Sequence, residues 1–206
     1  MGLLGVSSSG GEATILVDSA GDLPIYYCNA VELGSNGTVY FTDASQVYRN
    51  TTLMIANKDA TGRLLKYEPT TGQVSVLASG LAGPTGLTIS SDGSYLLFNE
   101  MVSSTIIKYY LSGTSANTQE TLTTSIYQPA NIRRGQIGDY FYLPQTPIPY
   151  VHYMVKIDST GNVLENTTIA GPYSKVIYFR DVRQVGLGFS FYIGSRYAPF
   201  VGLKLF

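Results

Sequence analysis

A single supersecondary pattern recurs four times along this chain, beginning at Asn29, Thr85, Asn131 and Arg180, 46 to 56 residues apart. Each copy opens with a short apolar alternation, passes through a tight glycine-bearing turn and continues in a strongly β-prone run, over 29–43, 85–100, 131–143 and 180–194. Self-similarity at such a period marks units that bury a core only by stacking on one another. In three copies a second hairpin follows, turning at Thr71-Gly72, Ser112-Gly113 and Thr160-Gly161, where glycine supplies a positive φ without steric cost. Each unit therefore reads as a four-stranded antiparallel meander, and the period fits the roughly 40–50 residues of a propeller blade. The expected architecture is all-β: a β-propeller of four-stranded antiparallel blades, about four of them, in one domain over residues 1–206.

Composition agrees. Apolar residues make up 44% and charged residues 13%, which excludes a disordered chain. The 22 Gly, 17 Tyr and 8 Phe favour strands and turns, and the one short helix expected lies near 53–58. With 13 Lys+Arg against 14 Asp+Glu and no run of like charge, there is no electrostatic footprint for nucleic acid or an anionic membrane. No apolar run reaches spanning length, so the chain as given reads as soluble, with a small molecule or a protein as its partner. Residues 1–20 read as the outer end of an earlier blade, and Phe206 falls on what reads as a third strand. Such edges are normally removed by closing the ring. The expectation is a propeller lacking its N-terminal blades, with edge-mediated self-association as the alternative for the exposed strands.

Loop lengths give the blades a polarity. The links between second and third strands, 44–62, 101–104, 144–153 and 195–199, outrun the hairpin turns, so their side is the expected binding face. There the first residues of the innermost strands, Asn29, Thr85, Asn131 and Arg180, are expected to point toward the axis. Amides, a hydroxyl and a guanidinium suit an oxygen-rich ligand, or a hard cation held through amide oxygens; a polar channel that holds only water is the competing reading. His152, the only histidine, falls in the 144–153 link and is the candidate general base, against the alternative of a packed loop residue. Asp43 and Glu100 end second strands, where turn capping and contacts between blades suit them. Cys28, the lone cysteine, reads as a small packed hydrophobe. Asn36, Asn50 and Asn166 open Asn-x-Thr triplets that would accept glycans in a secretory protein.

The stretches 37–43, 61–72, 92–97, 107–113, 131–133 and 192–195 with Pro199-Phe200 resemble the strictosidine synthase-like family of six-bladed propellers, which includes the plant Pictet-Spengler enzyme and adipocyte plasma membrane-associated proteins. The resemblance implies about two further N-terminal blades, a secretory or anchoring segment, and a vacuolar or extracellular location. It also implies alkaloid-forming chemistry, with a catalytic glutamate at the start of the last innermost strand. Arg180 stands at that position here, between Phe179 and Asp181. Arginine remains protonated and cannot shuttle a proton, and strand alternation turns Asp181 to the other face, so strictosidine synthesis is not expected. Related calcium-dependent lactonases imply inner-strand amide ligands. Asn29 and Asn131 match two of these, while Thr85 and Ala130 replace an Asn and an Asp. Calcium is then expected to bind weakly, and no other cofactor is implied. Three functions remain open: a hydrolase-like enzyme acting on a small organic substrate, a catalytically silent propeller that binds a metabolite or protein, and a structural product with no activity of its own.

Overall fold

The computed structural model describes residues 2–123, 125–148, 151–169, 179–185, 190–195 and 201–204. The chain divides into two compact units, Met1–Pro84 and Thr85–Phe206.

The first unit begins with an antiparallel pair, β1 (Leu3–Gly5) and β2 (Thr14–Val17), and a shorter one, β3 (Ser19–Ala20) and β4 (Leu23–Pro24). A meander follows: β5 (Cys28–Leu33), β6 (Val39–Asp43), β7 (Gly62–Glu68) and β8 (Gln73–Leu81), paired in that order. Gly37 and Gly72 turn its two tight hairpins at φ 87° and 69°, as the glycine spacing predicts. Opposed residues of antiparallel strands share a face, and the register Phe41↔Leu65 with Val39↔Tyr67 gathers one apolar face, which packs on Val17, Ala20 and Ile25. The β6–β7 link carries α1 (Thr51–Ala56). It starts two residues before the expected helix because Asn50 is its N-cap, with Oδ1 accepting the Thr52 N–H at 2.8 Å.

A buried ion pair closes this unit. Asp43 and Arg63 are register partners on β6 and β7, and Arg63 Nη2 donates to Asp43 Oδ2 at 2.7 Å with side chains 4% and 0% exposed. Asp43 Oδ1 accepts the N–H groups of Tyr26 and Tyr27 at 3.2 and 2.7 Å. The guanidinium also donates to the carbonyls of Ala20 and Pro24. The pair therefore fastens the β3–β4 segment and the entry to β5 onto the sheet.

In the second unit, β9 (Pro84–Ile89), β10 (Tyr95–Glu100), β11 (Thr105–Tyr110) and β12 (Gln119–Thr123) form one meander. The next is β13 (Arg133–Arg134), β14 (Phe141–Ile148), β15 (Val151–Ile157) and β16 (Val163–Ile169), and a third sheet holds β17 (Phe179–Val185), β18 (Ser190–Ser195) and β19 (Val201–Lys204). The middle sheet is buried on both faces, and its alternation shows how. Phe141, Leu143, Val155 and Ile157 face the sheet of Tyr95, Leu97 and Ile106, whereas Tyr142 and Met154 face Phe179, Val182 and Phe191. Edge-on ring pairs, Tyr95–Phe141 at 6.4 Å and Tyr142–Phe191 at 4.9 Å, join the layers. Double burial explains why these strands read as near-continuous apolar runs.

Two sequence expectations need correction here. The supposed long 144–153 link is mostly strand, since β14 runs to Ile148 and β15 starts at Val151, with Gln145 opposite Tyr153. Prolines normally demote a strand because they cannot donate to a ladder. Here β13 pairs only with Phe141 and Tyr142, so Pro144 faces no strand on that side that would need its N–H. The second correction concerns β17, which is not a regular strand at its start. The register slips between Phe179 and Asp181, and Phe179 and Val182, three residues apart, enter the same core cluster. Only an extra residue permits that, and Arg180 is the bulged residue. Of the expected 195–199 link, Ser195 ends β18 and the rest lies outside the described residues.

Candidate functional site

Arg180 is half-buried, and its Nη1 approaches the Sδ of Met101 at 3.8 Å. Met101 is 2% exposed and opens the β10–β11 link, so the contact places the guanidinium beside one of the links expected to form the binding face. The neighbouring carboxylate is committed elsewhere. Asp181 accepts from Arg133 Nε and Nη2, both at 3.1 Å, and its Oδ1 also takes the Val182 N–H at 3.0 Å. A carboxylate held in a two-pronged arginine pair has its lone pairs engaged and its charge balanced.

Thr85 starts β9 and is 1% exposed. Its Oγ1 accepts from Asn99 Nδ2 at 2.7 Å, and the same amide nitrogen reaches the Pro129 carbonyl at 2.6 Å. Asn99, fully buried on β10, thereby ties the start of β9 to the segment that delivers half-buried Asn131, which lies two residues before β13. Gly86 makes the approach possible. A Cβ there would fall 2.1 Å from Asn99 Oδ1 and 2.7 Å from both Asn131 Cα and Ile132 N. The sequence reading missed Asn99 and Gly86, although a glycine directly after an inner-strand start is the available signal for such a close approach.

His152 lies on β15 rather than in a loop. It is 1% exposed, and its ring meets Phe179 edge-on at 6.2 Å, on the same face of the sheet as Met154. The structure thus brings His152 to the layer between two sheets, whereas Arg180 stands over Met101. Asn29 is exposed on β5, in the first unit. Glu100 accepts from the hydroxyls of Ser103 and Thr105, each at 2.8 Å, a turn-capping role like the one expected. Burial, then the nearby Asp43 charge, pushes the Cys28 thiol up to about 11, which keeps it protonated and inert. Asn36, Asn50 and Asn166 are all exposed, in the β5–β6 turn, at the α1 cap and on β16. Among the described residues no three His, Cys, Asp or Glu side chains converge on a metal position. No helix among the described residues is long and apolar enough to cross a membrane.

Solved structures share this architecture. A gluconolactonase from Xanthomonas campestris matches with a TM-score of 0.71 at 16% identity, over 94% of this chain and 62% of that one. A calcium-binding regucalcin from Agrobacterium tumefaciens matches with a TM-score of 0.69 at 14% identity, over 95% and 62%. The sheets define a protein of the β-propeller class. Residues 29–114 match the strictosidine synthase family model. The chain is 33% identical over 210 residues to strictosidine synthase-like 12 of Arabidopsis thaliana, covering 98% of this chain and 62% of that protein. It is 32% identical over 212 residues to the strictosidine synthase of Catharanthus roseus, covering 98% and 59%. The chain belongs to the strictosidine synthase-like family, and it spans about three fifths of the length of these relatives.

Proposed function

We propose that this chain binds a small organic molecule on the side of the Met101–Ser104 link, around Arg180, and does not catalyse the condensation of an amine with an aldehyde. The observation that carries this reading is the pairing of Asp181 with Arg133 beside a bulged Arg180. Ring-closing condensation needs a group that gives and takes a proton near neutral pH. At the start of β17 one side chain is a guanidinium that stays protonated, and the other is a carboxylate paired with Arg133. The chain incubated with tryptamine and secologanin is expected to give no stereospecific product by chiral chromatography, and such a product would sink the reading. Binding itself is tested by a ligand-observed NMR screen of small organic molecules, repeated on Arg180→Glu. Hits lost in the variant support the site; hits indifferent to position 180 place binding elsewhere.

A hydrolase-like activity on a lactone or ester is the second reading, favoured by the likeness to a gluconolactonase. It needs a water-activating group that the described residues around Arg180 do not supply. Calcium is expected to add little: Asn29→Ala and Asn131→Ala should each leave the calcium dependence of the melting temperature unchanged. A large calcium-induced rise lost in both variants would mean a fuller ligand set.

A further inference from the structure

We infer that the β6–β7 link holds a receptor for small carboxylates, formed by Arg49 against the ring of Tyr26; it lies in the first unit and is independent of the Arg180 reading. The Arg49 guanidinium carbon sits 4.2 Å from the centre of the Tyr26 ring, within the reach of a cation–π contact. Its Nε–H donates to the Tyr26 carbonyl at 3.2 Å. A single residue thus covers one side of the guanidinium and takes up its inner donor. The outer edge, Nη1 and Nη2, meets no acceptor among the described residues, and Arg49 is exposed. Guanidinium and carboxylate match as two parallel N–H···O bonds, and the Nη1–Nη2 edge is the one left open for such a pair.

The support beneath this pair is rigid on both sides. Tyr26 and Tyr27 are held by their N–H bonds to Asp43 Oδ1, and the other oxygen of that carboxylate belongs to the buried pair with Arg63. On the link itself, fully buried Ser45 accepts the N–H groups of Val47 and Tyr48 at 3.0 and 2.8 Å. The Gln46 N–H reaches Thr61 Oγ1 at 3.0 Å, and Asn50 is fixed as the cap of α1. Every residue from 45 to 50 is therefore tied down, although Val47, Arg49 and Asn50 remain exposed. Arginine ordinarily gives up much side-chain freedom when it binds. Here that ordering precedes the ligand, which is how a preorganised position gains affinity. Val47 is 52% exposed two residues before Arg49, so a carboxylate with a compact apolar body is the fitting probe.

Benzoate and benzamide, alike in shape and different in charge, are titrated into the whole chain at low ionic strength, with dissociation constants read by NMR. Ion pairs in contact with water are modest, so benzoate is expected to bind about fivefold more tightly than benzamide. Arg49→Gln should bring the two affinities together. Tyr26→Leu keeps the charge and the backbone carbonyl but removes the ring, and should lower the preference. Arg49→Lys should lower it as well, because the charge remains without the two-pronged edge; this exposed change answers the same question if Tyr26→Leu does not fold. Arg183→Gln removes an exposed arginine of β17 and should leave the preference unchanged, and melting temperatures separate loss of binding from loss of fold. A preference below about twofold, or one that survives Arg49→Gln, overturns the inference. So does a preference that falls in Arg183→Gln, or one unmoved by Tyr26→Leu or Arg49→Lys, since Arg49 would then act as a solvated charge rather than a positioned fork.

Discussion

Arg63→Ala is expected to destabilise the protein by about 3–5 kcal/mol, the range for removing one partner of a buried ion pair. At about 2–4 °C of melting temperature per kcal/mol for a chain of this size, the midpoint should fall by about 10 °C. The loss is large because Arg63 does more than neutralise Asp43. Its guanidinium also donates to the Ala20 and Pro24 carbonyls, and without it the buried Asp43 carboxylate has lost its counter-charge and the Ala20 carbonyl a donor. Asp43→Ala should cost a comparable amount by a different route, since it strands the guanidinium and leaves the Tyr26 and Tyr27 N–H groups without their acceptor. The double variant should therefore be less destabilised than the two single effects added together, and chemical denaturation of all four proteins measures the difference. Additive losses would show that the two side chains act independently, contrary to their 2.7 Å contact.

The repeat made the sheets legible, because glycine turns and period-two alternation are local signals that tertiary packing seldom overrides. The β5–β6, β9–β10 and β7–β8 hairpins fall where the sequence places them, as does the 101–104 link, and the expected 44–62 link ends one residue early because β7 takes in Gly62. The errors have a common origin in non-local geometry. Pro144 looked like a loop residue until the brevity of β13 removed the need for its N–H. The Arg180 bulge was invisible because alternation presumes a regular strand, and only the joint burial of Phe179 and Val182 reveals the extra residue. The sequence assigned Asp43 to turn capping or contacts between blades, and its partner is instead the Arg63 guanidinium of the next strand, 20 residues on; once Val39 is set against Tyr67, the register itself predicts the pair. His152 was singled out by chemistry alone, and its 1% exposure follows from parity with Met154 on β15. Reading the candidate site therefore required the sheet registers as well as the residue types.

Gly86→Ala is expected to cost about 3 kcal/mol, the upper end for overpacking a tight interior. The reason is contact rather than backbone freedom, since the new methyl would sit 2.1 Å from Asn99 Oδ1 and 2.7 Å from two backbone atoms of Asn131 and Ile132. A flexible side-chain end can yield to such an intrusion, but Asn99 is held by its bonds to Thr85 and Pro129. The backbone at 131–132 must then move, which displaces Asn131 as well. Asn99→Ala alone should cost about 1–3 kcal/mol, by removing the nearer donor of the buried Pro129 carbonyl and leaving it only Thr85 Oγ1 at 3.4 Å. In the double variant the clash with Oδ1 is gone, whereas the clash with the 131–132 backbone remains. Its loss should consequently exceed that of either single change yet fall short of their sum. A Gly86→Ala protein within about 0.5 kcal/mol of the parent, the ordinary range for an unconstrained surface change, would mean that the 129–132 segment is free to withdraw from β9 and that Asn99 does not position it.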